Sequence, residues 1–275
     1  MMKKTIFWDG LKNENNECYL QPIYDVEKKK VTVAEALFRS RDGKGGFHDT
    51  ENLIQFAESM DCVSRIDLWV LEQVCKNMEE LRKLGIERVN VNLSPKSYLD
   101  EELLKDIKKI MEAYDVWPKH IWFELTEITE VGDKEMMTDL IDRMVKQGFH
   151  FAIDDFGKGN SNILRLMEFP FASIKLDKEL IWKLKEKPMV TDMVQTLIQF
   201  SRRHNICVTA EGIENKEQAS ALIDMGCHFL QGYLFSKPMP IPAFMDFIQK
   251  DHDFGLDQAS EQKIVQLVLT AVSGK

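Results

Sequence analysis

Six times after residue 88 the chain passes from a short apolar run to a stretch with helical spacing. The runs are Val89–Leu93, Ile121–Leu125, Phe149–Ile153, Ala172–Leu176, Cys207–Ala210 and His228–Leu230. The helical stretches that follow them are Leu103–Tyr114, Lys134–Lys146, Ile163–Met167, Met189–His204, Lys216–Asp224 and Ala243–Gln249. Short β-branched and aromatic runs mark strands, and apolar recurrence at three and four residues marks a helix face. Alternation of this kind builds a parallel sheet. Two earlier strand candidates, Cys18–Ile23 and Val31–Phe38, are joined only by Tyr24–Lys30. A parallel crossover needs roughly a dozen residues or more, so this first pair is antiparallel. The helical stretches Thr50–Ser59 and Val63–Leu84 then lead into the alternation. Eight strands over this length fit a closed barrel better than an open sheet. The fold expected is α/β: a modified TIM (β/α)8 barrel with the first strand antiparallel, plus a C-terminal helix.

No Pro/Gly/Ser-rich linker interrupts the barrel, so residues 18–250 read as one domain. Residues 1–17 form a polar lead-in. Residues 251–275 form a tail in which Ile264, Leu267, Val268 and Val272 mark one face of a helix opening near Asp257. That face packs on the barrel or meets a partner; a homodimer is left open.

Charge and cysteine usage bound the function. The formal net charge of -9 argues against a basic surface for a nucleic-acid polymer. It leaves room for a small anionic ligand, because divalent ions invert the field inside an acidic pocket. The five cysteines include no C-x-x-C pair, which points to free thiols in a reducing compartment. The apolar run after the N-terminal lysines stops at Asp9, too short for a signal-peptide core of about 7–15 residues. No window reaches the roughly 18 apolar residues of a membrane span. A cytoplasmic location is expected.

The strand ends carry the chemistry. In an α/β barrel, function gathers at the C-terminal ends of the strands. Here those ends hold Glu35, Asn92, Glu124, Asp154 with Asp155, Lys175, Glu211 and Gln231. A buried unpaired carboxylate is costly, so so many polar strand ends are most economically explained by one shared site. Glu35, Asn92, Glu124, Asp154, Asp155 and Glu211 are hard oxygen ligands with no matching His or Cys cluster, which suits Mg2+ or Mn2+ rather than zinc. Five crowded carboxylates call for two ions rather than one, and paired ions are a recurring device for phosphoryl chemistry. Asp154 is the natural bridge. Asp154 and Asp155 are adjacent and would face opposite ways on a regular strand, so both reach the site only if the strand ends there. Glu35, Leu37 and Arg39 share a face, successive members about 6.6 Å apart, so that Glu35 can hold a metal while Arg39 reaches a phosphate. Lys175 and Asp177 are related in the same way. Glu127 lies three residues past Glu124, on the loop, where it is expected to brace the Asp155–Asn162 loop.

These residues sit in recognisable motifs. They are Gln21-Pro22-Ile23, Glu35-Ala36-Leu37-Phe38-Arg39, Asn92-Leu93-Ser94-Pro95, Phe123-Glu124-Leu125-Thr126-Glu127 and Asp154-Asp155-Phe156-Gly157. Lys175-Leu176-Asp177, Ala210-Glu211-Gly212-Ile213-Glu214 and Gln231-Gly232-Tyr233-Leu234-Phe235-Ser236-Lys237-Pro238 complete the set. In order and spacing the chain resembles the EAL-domain family of cyclic di-GMP phosphodiesterases over about residues 18–245. The resemblance implies hydrolysis of one phosphodiester of cyclic di-GMP to linear pGpG by a metal-activated water. It implies that Glu35, Asn92, Glu124 and Asp154 hold one metal, and that Asp154 and Asp155 hold the second with Glu211 ordering a water. It implies that Lys175 contacts the nucleophilic water, that Arg39, Gln21 and Leu37 contact substrate, and that Gln231, Asp177 and Glu214 complete or support the site. The family usually has Thr, Tyr and Ser where Lys158, Asn160 and Asn162 stand here, in the loop that couples metal binding to dimerisation. Two readings follow: an active phosphodiesterase, for which every expected ligand is present, or a weak or inactive member that binds cyclic di-GMP or a protein as a receptor, for which the altered loop speaks. Hydrolysis of some other phosphodiester is a third, against which Arg39 and Gln21 argue.

Overall fold

A computed structural model describes residues 15–97, 102–125, 134–158, 165–184 and 186–256. Strand β1 (Asn16–Asp25) turns through Val26–Lys29 into β2 (Lys30–Ser40). The connection is tight enough to need positive φ at Lys29, and the two strands pair antiparallel from Asn16↔Ser40 to Asp25↔Lys30. Strands β3 (Arg88–Asn92), β4 (Ile121–Leu125), β5 (His150–Phe156), β6 (Ser173–Leu176), β7 (Cys207–Ala210) and β8 (Phe229–Gln231) follow in sequence order. Each is parallel to its neighbour from β2 round to β8. Strand β1 closes the ring by pairing antiparallel with both β2 and β8. The expected barrel with one reversed strand is therefore the observed one. A two-residue strand β9 (Met239–Pro240), with no counterpart in the sequence reading, caps β1 at Tyr19 and Leu20; two residues are too few to show a period.

The helices pack outside the barrel. They are α1 (Thr50–Ser59), α2 (Ser64–Lys83), α3 (Leu103–Ala113), α4 (Lys134–Val145), α5 (Arg165–Glu168), α6 (Lys178–Trp182), α7 (Pro188–Arg203), α8 (Lys216–Met225) and α9 (Ile241–Ile248). Helix α2 shows why: Ile66, Val70, Leu71, Val74, Met78 and Leu81 recur at helical spacing and are all buried. Asp49 caps α1 by accepting from the Asn52 N–H, and Asn215 with Gln218 forms a capping box at α8. The main apolar core lies between this helical layer and the outer faces of the strands.

The barrel interior is different. At its lower end Ile23, Val33 and Phe229 pack together, with Cys207 against them. The Arg88 guanidinium is buried there, 3.9 Å from the centre of the Trp122 ring and 4.6 Å from that of Phe229. This aromatic and cationic plug closes the bottom. Because strand side chains alternate with period two, residues two positions further along each of the parallel strands β2–β8 face the same interior one layer higher. Those positions carry Glu35, Asn90, Glu124 and Lys175. The tail helix expected from Asp257 and residues 1–14 of the lead-in lie outside the described residues, as do Glu127, Asn160 and Asn162. Among the described residues no helix is long and apolar enough to cross a membrane.

Candidate active site

Lys175 stands at the centre of the upper layer. It is 1% exposed, and its ammonium lies 3.2 Å from Glu35, 2.7 Å from Glu124, 3.0 Å from Asp154 and 2.8 Å from Glu211. Strands β2, β4, β5 and β6 supply four of these residues, and Glu211 directly follows β7. Neutral amides complete the ring. Asn92 of β3 donates to Glu35 Oε1 at 3.3 Å, and Gln231 of β8 donates to Glu35 Oε2 at 2.6 Å and to Gln21 Oε1 of β1 at 3.1 Å. Every strand of the closed barrel, or in β7 the residue just past it, thus places a polar side chain in this assembly.

One ammonium cannot neutralise four carboxylates. Burial alone would raise the Glu35 carboxyl, but Lys175 and hydrogen bonds from Gln231, Lys175 and Asn92 outweigh it and hold Glu35 below the usual carboxylate range. For Glu124 and Asp154 burial wins over Lys175, and the neighbouring negative charges add to it, so both are pushed up. Burial raises Glu211 to about 8 despite Lys175. Burial would lower Lys175 itself, yet Asp154, Glu124, Glu211 and Glu35 drive it well above its ordinary value, so it stays charged.

Asp155 reaches the site by a route other than the one expected. Strand β5 does not end at Asp154; it continues to Phe156. Asp155 takes a left-handed backbone, φ 52°, and the pairing with β6 slips between Ile153 and Phe156. This bulge turns two adjacent side chains to the same side. Carboxylate oxygens of Asp154, Asp155 and Glu211 then lie within 4.8 Å of one another. Asp154 Oδ1 is buried and accepts no well-directed hydrogen bond, its 3.0 Å approach to Lys175 being an ion pair of poor alignment. An all-oxygen donor set with a buried oxygen short of partners fits a divalent ion such as Mg2+ or Mn2+.

A cavity of about 370 Å3 opens over this set, bordered by Gln21, Glu35, Leu37, Asp154, Asp155, Lys175, Glu211, Glu214 and Gln231. Arg39 is not among its walls. Its guanidinium turns back to donate to the Phe38 carbonyl at 2.8 Å and faces a neighbouring cavity that also touches Leu37 and Asn92. Asp177 is buried and caps α6, accepting from the Glu179 N–H at 2.7 Å. Lys158, at a position that departs from the usual family pattern, lies 3.4 Å from Asp155.

Three groups escaped the sequence reading. Asn90 donates to Glu124 Oε1 at 2.8 Å; it stands two residues before Asn92, so strand alternation was a usable signal. Asp67 of α2 is buried and accepts from the Ser94 N–H at 2.9 Å and from the Ser97 hydroxyl, bracing the turn just past Asn92. It was hidden in an ordinary amphipathic helix. Trp182 and Tyr233 border the main cavity while remaining 44% and 60% exposed; Tyr233 lies in a motif that assigned it no role, and no pattern in the chain marks Trp182.

Residues 7–238 match the EAL domain profile. The chain belongs to the EAL domain family. Cyclic di-GMP phosphodiesterase RocR of Pseudomonas aeruginosa is 29% identical to this EAL domain over 240 residues, covering 86% of the chain and 61% of RocR. The chain spans between 31% and 61% of the length of the curated relatives it matches. Among solved structures, the EAL enzyme Bd1971 in its cAMP- and cyclic-di-GMP-bound form superposes with a TM-score of 0.82 at 27% identity, over 90% of this chain and 68% of that one. BlrP1 of Klebsiella pneumoniae, solved as a complex with manganese and cyclic di-GMP, gives a TM-score of 0.72 at 27% identity, over 82% of this chain and 57% of that one.

Proposed function

We propose that this EAL domain hydrolyses one phosphodiester of cyclic di-GMP to linear pGpG in the cytoplasm, with two divalent ions, Mg2+ or Mn2+. The observation that carries the reading is the convergence of Glu35, Glu124, Asp154, Lys175 and Glu211 beneath one open cavity. Glu35, Asn92, Glu124 and Asp154 would hold one ion, and Asp154 with Asp155 the second. When bound, the ions supply positive charge for the phosphoryl oxygens and lower the pKa of water. Lys175 stays charged and donates to the attacking water, fixing its line of approach. Glu211 orients the same water. Gln21, Leu37 and Gln231 contact the dinucleotide, and Asp177 holds α6 at the rim. Arg39 swings from the Phe38 carbonyl to a phosphate when substrate enters. Cys18, Cys62, Cys75, Cys207 and Cys227 are not joined in disulfides, which suits a reducing compartment.

Lys158 favours a second reading. Its ammonium beside Asp155 competes with a cation there, as expected of a receptor that binds cyclic di-GMP without turning it over. Incubation with cyclic di-GMP and Mg2+ or Mn2+, followed by chromatography, decides between the two. The enzyme yields pGpG, and Glu35→Ala abolishes it. Binding of intact cyclic di-GMP with no pGpG under either metal overturns the enzyme reading, and near wild-type turnover by Glu35→Ala overturns the metal assignment.

A further inference from the structure

Two aromatic side chains, Trp182 and Tyr233, border the cavity and stay exposed. Trp182 is also fixed in place. Its indole N–H donates to the Gly212 carbonyl at 3.0 Å, one residue past Glu211. Gly212 has φ 66°, and a Cβ there would come within 2.3 Å of Lys178 Cβ, so the backbone after Glu211 and the helix bearing Trp182 meet at the closest approach that glycine allows. The Lys178 ammonium lies 5.6 Å from the Trp182 ring centre, and the Lys237 ammonium lies 5.2 Å from that of Tyr233. A rigid aromatic ring loses little entropy on contact with a flat ligand, and a flanking cation suits the phosphate attached to such a ligand.

We propose that Trp182 is a specificity-determining residue that stacks on a purine base of the substrate, with Lys178 taking the adjoining phosphate. This rests on the reading of the cavity as a cyclic di-GMP site, and it adds the wall of that site that recognises the base. The pattern discriminates a nucleotide from a base-free phosphate ester, because only the former offers a π-face.

GMP and ribose 5-phosphate differ by the base, so titration of each into the full chain with Mn2+ present reads the contact directly. The wild type binds GMP more tightly than ribose 5-phosphate. Trp182→Ala weakens GMP about tenfold or more and leaves ribose 5-phosphate unchanged, in line with the strength of base–aromatic stacking. Trp182→Phe retains most of the GMP affinity. The proposal is overturned by equal GMP affinity in the wild type and Trp182→Ala, by equal weakening of both ligands, or by no preference for GMP in the wild type. It is also overturned if Trp182→Ala lowers self-association while GMP affinity stays put, which would assign Trp182, with exposed Met189 and Met193, to a contact between copies. Turnover is not needed for this readout. Absence of pGpG from the wild type would sink the hydrolase reading alone.

Discussion

Lys175 decides the character of the site at the scale of single residues. It is the group through which Glu35, Glu124, Asp154 and Glu211 share one positive charge in the interior. Breaking a buried ion pair from one side leaves the other charge uncompensated, at a cost of about 3–5 kcal/mol. Lys175→Met should therefore lose that much stability in metal-free buffer at pH 8, measured by urea denaturation with a chelator present. The deficit should shrink at pH 6, below the value of about 8 to which burial raises Glu211. An unchanged midpoint at pH 8 would contradict the central role. Asp67 makes the second case. Burial raises its carboxyl to about 7, more than the hydrogen bonds from Ser97 and Ser94 lower it. Its folded pKa lies above the ordinary value of 3.8, so the folded state binds the proton more tightly. Its stabilising effect is complete below that ordinary value and is lost as pH rises through about 7. Denaturation midpoints across this window should fall less steeply for Asp67→Asn than for the wild type, by a few kcal/mol in total at about 1.4 kcal/mol per pKa unit. Parallel pH profiles would show that Asp67 is ionised when folded. Glu35 and Lys175 were legible because polar residues at strand ends conflict with an apolar core. Asp67 was not, because an acidic residue in an amphipathic helix conflicts with nothing until its burial is known.

At the scale of elements, the loops after β7 and β8 are stitched to one another. The Ile213 N–H donates to the Gln231 carbonyl at 3.0 Å, and the Leu234 N–H donates back to the Ile213 carbonyl at 2.9 Å. Gly232 lies inside this clasp, where an added Cβ would come within 2.2 Å of the Ile213 backbone N and O. Backbone atoms cannot yield as a flexible side chain does. Gly232→Ala should destabilise the fold by about 1–3 kcal/mol, the range of overpacking in a core. It should also reduce pGpG formation more than a distant substitution of equal stability cost, since Glu211 and Gln231 flank the clasp. A thermal midpoint within a degree of wild type would refute it. Strand and helix identities were readable from period and β-branched content. The bulge at Asp155 was not: the sequence shows two adjacent aspartates, and only the slipped pairing with β6 turns both inward. The Gln231 position was read as following its strand, whereas the pairing Ile23↔Gln231 keeps it inside β8.

For the whole molecule, a cation held on the acidic face of the barrel would be linked to folding. A ligand bound only by the native state stabilises it by about 2.7 kcal/mol at a hundred times its dissociation constant. Mn2+ should thus raise the thermal midpoint of the wild type, and Asp154→Ala should lose most of that rise; an equal rise in both would place the ion elsewhere. What the sequence determined by itself was the alternation that demands a parallel sheet, the reversed first pair forced by a short connector, and the residue types able to hold a cation. These follow from local spacing and from the cost of burying charge. What only the tertiary structure decided was convergence. Closure of the ring by β1 against β8 brings Gln231 onto both Gln21 and Glu35, and the barrel brings Lys175 into contact with carboxylates from strands far apart in the chain. Those distances depend on strand stagger and on one bulge, both set by packing across the whole barrel, and no local pattern of residues encodes them.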